Sequence, residues 1–234
     1  MRILLVSTYE MGHQPLHLAS PAAALLAAGH EVRTADVAIE PLDDASVAWA
    51  DAVAFSVPMH TAMRLAVRMA EDIRQAHPYL AICLYGLYAH VGSERTLETI
   101  ADRLITGEYE SALVEWVAGL EGTAGMPAAV TDIGRTPFRV PDRSGLPALE
   151  QYAHLETMTE RRTVGYVEAS HGCRQRCKHC PVPTVYDGRF RIVPEDVVVA
   201  DIAQLVDMGV QHITFGDPDF LNGPKHSLRV IRAC

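Results

Sequence analysis

Residues 163–180 read TVGYVEASHGCRQRCKHC and lead from an apolar run directly into three of the chain's five cysteines. The run at 163–170 is typical of a buried strand. The cysteines that follow it are separated by three residues and then by two. Three thiols in so short a loop, directly after a strand, predict that the loop holds a single inorganic centre.

The residues after the cysteines predict a second strand–helix unit. Residues 194–209 form a helical pattern with Pro194 at its start and Gly209 at its end, where these residue types are expected. Residues 211–216, QHITFG, predict the next strand. Two such units leave a strand edge without a partner. We therefore expect residues 161–234 to be the first part of a larger β/α barrel, and we expect the chain to stop within it.

The first half of the chain alternates short apolar runs with longer helical segments. This alternation predicts an α/β fold in which a doubly wound, flavodoxin-like parallel sheet is covered by helices on both faces. We expect this domain at residues 1–120. A linker should follow at 121–160, which is rich in Gly, Pro and Arg and has little periodicity. The predicted strands are 2–7, 31–36, 52–57, 79–86 and 101–107.

The composition is that of a globular protein, 49% hydrophobic, with a formal net charge of −9. An acidic chain has no general attraction for nucleic acid or anionic lipid, and no apolar run reaches the ~18–20 residues that a spanning helix needs. The N-terminus lacks a positively charged leader, so we expect a cytoplasmic protein with no membrane partner. The cysteine loop is locally basic, because it lies among Arg161, Arg162, Arg174, Arg176, Lys178, Arg189 and Arg191.

Two kinds of metal site are consistent with the three cysteines alone. A structural zinc ion takes four protein ligands, and His171 or His179 would complete a Cys3His set. A [4Fe–4S] cluster normally takes four cysteines, so with three it keeps one iron open to another ligand. The odd total of five cysteines argues against a disulfide framework.

The pattern Cys173-x3-Cys177-x2-Cys180, after the first strand of a β/α barrel, resembles the signature of radical S-adenosylmethionine (SAM) enzymes. The resemblance implies that the three cysteines bind a [4Fe–4S] cluster and that SAM chelates the fourth iron through its amino and carboxylate groups. It also implies that one electron, from a donor such as flavodoxin or ferredoxin, cleaves SAM to the 5′-deoxyadenosyl radical, which abstracts hydrogen from a substrate. The resemblance does not identify that substrate.

Four further residues occupy positions at which this family contacts SAM. His179 precedes the third cysteine, where the family usually has an aromatic residue near the adenine. Residues 215–220, FGDPDF, follow the second barrel strand, where the family has a turn that accepts a hydrogen bond from the SAM amino group. Asp217 or Asp219 is the expected acceptor, and Gly216 allows close approach of the backbone. The alternative for both aspartates is local hydrogen bonding within a turn.

The first domain resembles the B12-binding domain that precedes the barrel in one large branch of this superfamily. The resemblance rests on residues 15–37 and 50–74 and on LITGEYESALVEWV (104–117), which is similar to a GEGE-type turn. The Asp-x-His-x-x-Gly signature that supplies a histidine to cobalt is missing, so the resemblance allows cobalamin bound without that histidine, or none. Candidates for a cobalamin-type pocket, which lie at strand ends, are Tyr9, Ser56, Gly86, Gly107 and Glu108.

The alternative function is a non-catalytic module. It would bind a small ligand such as cobalamin through the first domain and carry a structural zinc ion in the cysteine loop. The metal that the loop takes up separates this alternative from the enzyme.

Overall fold

Six parallel strands form the first sheet in the computed structural model, which describes residues 1–91, 93–120, 122, 127–135 and 137–234. The strands are β1 (Arg2–Ser7), β2 (Glu31–Asp36), β3 (Ala52–Ser56), β4 (Ala81–Tyr85), β5 (Arg103–Gly107) and β6 (Ala129–Asp132). Their order is β2-β1-β3-β4-β5-β6, so the winding reverses between β1 and β3. This is the strand order of flavodoxin-like folds, and the predicted doubly wound architecture is confirmed.

Helices cover both faces of this sheet. They are α1 (Leu16–Ala27), α2 (Asp44–Trp49), α3 (His60–Ala76), α4 (Ser93–Thr99) and α5 (Tyr109–Leu120). Successive side chains of a strand point to opposite faces, so Leu4 and Val6 of β1 pack toward α2 and α3, whereas Ile3 and Leu5 pack toward α1 and α5. No helix in the described parts of the chain is both long and apolar enough to cross a membrane.

The segment predicted as a linker contributes to the fold of the first domain. β6 lies within it and pairs with β5, with Leu104 opposite Ala129. Further on, the backbone N–H of Asp142 donates to the carbonyl of Ala19 (2.9 Å), and the carbonyl of Gly145 accepts from Thr34 Oγ1 (2.6 Å). Residues 142–145 are therefore a strap bound to α1 and β2. Residues 121, 123–126 and 136 of the predicted linker lie outside the described residues, and the domain boundaries at 120 and 160 remain a prediction.

The second unit contains the start of a β/α repeat. Its elements are β7 (His154–Glu156), β8 (Arg161–Val167), β9 (Ser170–Gly172), α6 (Val182–Tyr186), β10 (Phe190–Ile192), α7 (Glu195–Asp207), β11 (His212–Phe215) and α8 (Pro224–Ala233). β8 and β11 are parallel neighbours with α7 between them in sequence, as predicted. The antiparallel pairs β7–β8 and β9–β10 were not predicted.

A buried arginine joins the two units. Arg143, in the strap, has no exposed side-chain surface, and its Nε and Nη2 donate to the two carboxylate oxygens of Asp201 on α7 (2.7 and 2.8 Å). Nη1 donates to Oε1 of Gln14, just before α1 (3.0 Å), and Nη2 also donates to the carbonyl of Tyr166 in β8 (2.8 Å). With these four hydrogen bonds, the guanidinium fixes the strap, α7 and β8 against the first domain.

Candidate functional site

A cavity of about 200 Å³ lies where the two units face each other. One wall is formed by the loops that follow β3, β4 and β5, which is the edge where flavodoxin-like sheets bind ligands. The opposite wall is formed by the end of β8, by α6 and by the turn after β11. Residues that contribute to the two walls include Met59, Gly86, Gly107, Tyr166, Glu168, His171, Tyr186 and Gly216.

Glycines allow the backbone to turn tightly at the rim of this cavity. Gly86 has φ +116° and Gly107 has φ +87°, a region that side chains rarely adopt. A Cβ on Gly107 would lie 1.8 Å from the carbonyl oxygen of Asp132 in β6. A Cβ on Gly216 would lie 1.9 Å from the ring of Tyr166. The rim therefore depends on the absence of side chains at these positions.

Three charged side chains meet at the wall of the cavity. His171 Nδ1 lies 3.0 Å from Oε2 of Glu108, and its Nε2 lies 3.4 Å from Oε2 of Glu168. Tyr166 donates its hydroxyl to Oε1 of Glu168 (2.9 Å). Glu108 is the residue directly after β5, whereas the other three belong to the second unit. The imidazole therefore connects a carboxylate of each unit.

The charges of this group follow from its surroundings. Burial by itself lowers the pKa of His171, but the two neighbouring carboxylates outweigh burial and raise it to about 10. Burial raises the pKa of Glu168 to about 7, although His171 opposes this increase. Burial also acts to raise the pKa of Glu108, but the charge and hydrogen bond of His171 lower it below its usual value. At neutral pH the group thus contains a Glu108 carboxylate paired with a His171 imidazolium.

A second histidine extends the group toward the first domain. Nε2 of His17, on α1, lies 3.9 Å from Oε1 of Glu168, and its Nδ1 lies 3.2 Å from the hydroxyl of Tyr109. Glu10 is buried nearby, and burial together with repulsion from Glu168 raises its pKa to about 7. Its Oε1 has no hydrogen-bond partner among the described residues.

The raised pKa of Glu10 predicts a pH dependence of stability. The folded protein holds this proton up to about pH 7, whereas the unfolded chain releases it near the usual value of 4.5. Its contribution to the free energy of unfolding is therefore fully present below pH 4.5 and is lost as the pH rises to about 7. Urea denaturation of the metal-free protein across this range should show a smaller decrease for Glu10→Gln than for the wild type. Glu98→Gln, which changes an exposed carboxylate on α4, should follow the wild-type curve; equal curves for all three proteins would contradict the prediction.

The three cysteines lie in the loop between β9 and α6. Cys173 is buried, Cys180 is partly buried and Cys177 is exposed. The Sγ of Cys173 accepts from the backbone N–H of Gln175 (3.4 Å) and from Nδ2 of Asn222 (3.5 Å). In the described parts of the chain, no three His, Cys, Asp or Glu side chains are grouped closely enough to hold a metal ion. The loop thus holds the predicted ligands together in sequence, but the three sulfurs do not surround a common point.

The residues predicted to contact SAM have different surroundings. Asp217 accepts from the backbone N–H of Ala169 (3.1 Å) and from the hydroxyl of Ser170. Asp219 accepts from the backbone N–H of Leu221 (3.0 Å) and from Nδ2 of Asn222, so it caps the 3-10 turn Phe220–Asn222. Asp219 therefore makes the local hydrogen bonds of the turn alternative, whereas Asp217 bonds to Ala169 and Ser170 at the start of β9. Gly216 lines the cavity, and His179 is exposed.

The predicted cobalamin-type pocket is brought together only in part. Gly86 and Gly107 line the cavity, and Glu108 lies behind its wall, paired with His171. Ser56 is buried and Tyr9 is 37% exposed, and neither belongs to the described lining of the cavity. The zinc alternative is weakened because both ring nitrogens of His171 face carboxylates, so this side chain is not free to complete a Cys3His set.

Sequence reasoning missed Glu168, Tyr166, His17 and Glu10 as members of the site. The available signal was position: Glu168 is a charged residue at the carboxyl end of an apolar run, and Glu10 follows the first strand in the same way. Charged residues there are candidates for ligand contact in parallel sheets.

Both parts of the chain match a known family. The B12 binding domain family matches residues 2–117, and the Radical SAM superfamily matches residues 167–234. The chain belongs to the radical SAM superfamily and carries a B12-binding domain. The second match begins at the end of β8 and includes all three cysteines of the loop.

Two curated proteins are similar to the chain in sequence. Hopanoid C-2 methylase from Rhodopseudomonas palustris is 24% identical to this radical SAM protein over 211 residues, which are 89% of the chain and 38% of the methylase. The tRNA-2-methylthio-N(6)-dimethylallyladenosine synthase of Corynebacterium diphtheriae is 28% identical over 137 residues, which are 53% of the chain and 26% of the synthase. The chain therefore spans well under half the length of these curated relatives.

A solved structure shows the same fold. The radical SAM methyltransferase TsrM from Kitasatospora setae, solved with cobalamin and a [4Fe–4S] cluster bound, superposes with a TM-score of 0.72 at 18% identity. The superposition covers 99% of this chain and 50% of TsrM. The arrangement of a flavodoxin-like sheet followed by the start of a barrel is thus found in a known radical SAM protein.

Proposed function

We propose that the chain binds a [4Fe–4S] cluster through Cys173, Cys177 and Cys180 and takes part in a SAM-dependent radical reaction. The observation that carries this proposal is the position of the cysteine loop. It follows the first strand of a β/α unit, and the residues on either side of it, Gly172 and Val182, line a cavity whose other side is the carboxyl edge of a B12-binding domain. A cofactor bound by the second unit and a cofactor bound by the B12-binding domain would therefore lie next to each other in the cavity.

The residues around Cys173 are suited to hold such a cluster. A bound cluster would supply the electron for the reductive cleavage of SAM. The backbone N–H of Gln175 and the side-chain amide of Asn222 donate to the Cys173 sulfur and hold it in place. Apolar side chains of α6, together with Leu87 and Ile133 of the first domain, pack around Cys173 and Cys180 and limit water on that side.

We propose that SAM binds at the wall formed by the second unit and that cobalamin binds at the wall formed by the first domain. On the side of the second unit, Gly216 leaves space in the cavity, and Asp217, Asp219 and His179 are the proposed SAM contacts. The two aspartates already accept hydrogen bonds, but a carboxylate has further lone pairs with which to accept from an ammonium group. On the side of the first domain, we propose that Gly86 and Gly107 leave room for cobalamin to lie close to the backbone. Tyr9, Ser56 and Glu108 complete the proposed pocket.

Methyl transfer is the reaction class that we propose. Hopanoid C-2 methylase and TsrM both carry this activity in their names, and both are similar to this chain over nearly all of its length. A one-electron donor such as flavodoxin or ferredoxin is the proposed protein partner. We also propose that the protein acts in the cytoplasm, where thiols remain reduced.

The test is the metal content of the chain after anaerobic reconstitution with iron and sulfide. We expect about four iron atoms per chain for the wild type, since the cluster is a cubane, and 5′-deoxyadenosine after reduction in the presence of SAM. Cys177→Ser should lose most of the iron and all of the 5′-deoxyadenosine. Cys234→Ser, which changes an exposed cysteine outside the loop, should behave as the wild type. Stoichiometric zinc without iron in the wild type would reject the proposal and favour the non-catalytic alternative.

A further inference from the structure

The contact between Glu108 and His171 crosses from the B12-binding domain to the cysteine loop. Glu108 is 1% exposed and directly follows Gly107 at the rim of the cavity, whereas His171 lies in β9, two residues before Cys173. The distance of 3.0 Å between Glu108 Oε2 and His171 Nδ1 is that of a direct hydrogen bond. The buried carboxylate of Glu108, in the B12-binding domain, thus holds the segment of the second unit that leads from His171 to Cys173, the first of the three predicted cluster ligands.

The segment around His171 has little freedom to move independently of this contact. β9 pairs with β10, with His171 opposite Arg191, and Arg191 donates to the carbonyls of Ile133 and Gly134 after β6. The ring of Phe138 packs edge-on against His171, with centroids 5.1 Å apart. A Cβ on Gly172 would lie 2.4 Å from the carbonyl oxygen of Arg189. A shift of the imidazole would therefore be transmitted along the backbone to Cys173.

We propose that Glu108, acting through His171, is a positioning residue for the iron–sulfur cluster. This inference rests on the proposed function, because it requires a cluster in the loop. The B12-binding domain would then have two roles. The carboxyl edge of its sheet would hold the segment before the cysteine loop as well as bind the proposed cobalamin. Because Glu108 is adjacent to Gly107, a ligand that moves the loop after β5 would also move the anchor of the cluster loop.

A matched pair of variants tests the role of Glu108. Glu108→Ala removes the contact to His171. Glu115→Ala removes another carboxylate of the same domain, an exposed one on α5. After reconstitution we measure how fast a chelator removes iron under anaerobic conditions, and we record the electron paramagnetic resonance spectrum of the reduced cluster. Removing a group that orients a metal ligand typically weakens metal binding by about 10–100-fold, so Glu108→Ala should lose its iron at least about tenfold faster and show an altered spectrum, whereas Glu115→Ala should match the wild type.

Two further variants show whether the effect passes through His171. Glu108→Gln keeps an oxygen that accepts from Nδ1, so it should restore most of the iron retention. In His171→Ala the contact is already absent, so the added change Glu108→Ala should have no further effect. If Glu108→Ala does not fold in the metal-free form, the comparison of His171→Ala with the wild type replaces it, with the same expected loss and spectral change.

The outcomes separate this inference from the proposed function. A wild type that takes up no cluster rejects the proposed function. A wild type that takes up the cluster, with Glu108→Ala or His171→Ala equal to it in iron loss and spectrum, rejects the role of Glu108 alone. Additive effects of the two changes would also reject it, since they would show that Glu108 acts by another route.

Discussion

Replacing Arg143 by Ala is expected to lower the free energy of unfolding by about 3–5 kcal/mol, the cost of breaking a buried ion pair by removing one partner. The guanidinium has no exposed surface and donates to Asp201, Gln14 and the carbonyl of Tyr166. Its loss leaves the Asp201 carboxylate buried without its counter-ion. Urea denaturation of the metal-free protein, monitored by circular dichroism, measures the change.

Two other variants show that burial causes this effect. Arg161→Ala removes an exposed arginine paired with Glu156, and exposed pairs contribute less than about 1 kcal/mol. The double change Arg143→Met with Asp201→Leu replaces both charges by apolar groups and should recover part of the lost stability. A loss for Arg143→Ala no greater than that for Arg161→Ala would contradict the view that this arginine fixes the two units together.

Replacing Gly107 by Ala is expected to lower the free energy of unfolding by about 2–5 kcal/mol, from a strained backbone and from overlap. The residue has φ +87°, and its added Cβ would lie 1.8 Å from the carbonyl oxygen of Asp132. That neighbour is backbone and has no alternative rotamer, so β6 must separate from β5. Thermal unfolding of the variant and the wild type, both metal-free, measures the loss.

Gly29→Ala is the matched control for overlap. Gly29 has nearly the same backbone angle, φ +85°, but no atom lies within 4 Å of its added Cβ. Only the cost of the left-handed backbone remains there, which is about 1–2 kcal/mol. Equal losses in the free energy of unfolding at Gly107 and Gly29 would contradict the prediction, because they would show that β6 moves away from the added Cβ at no energetic cost.

The strands β1 to β5 were predictable because each can be recognised from its own short stretch of sequence. The strand of residues 2–7 is a short apolar run, and the alternation of such runs with helices predicts a parallel sheet. β6 was not predicted because AVTD is short and follows a Gly- and Pro-rich segment. Its pairing with β5 supplies the stability that its own sequence lacks.

The site was predictable at the cysteines and much less so around them. The spacing of Cys173, Cys177 and Cys180 is local and specific, and a family match covers it. The Glu108–His171–Glu168 group depends on residues 63 positions apart that meet only when the two units pack. No periodicity connects them, so the sequence shows the residues but not their contact.

The pairing of β6 with β5 also determines where the B12-binding domain can be separated from the rest of the chain. A cut at residue 120 would remove β6 and leave the N–H and C=O groups along that side of β5 without partners. An exposed edge strand can pair with strands of other molecules, so the shortened domain would be prone to self-association. A cut after Asp132 would keep that strand covered.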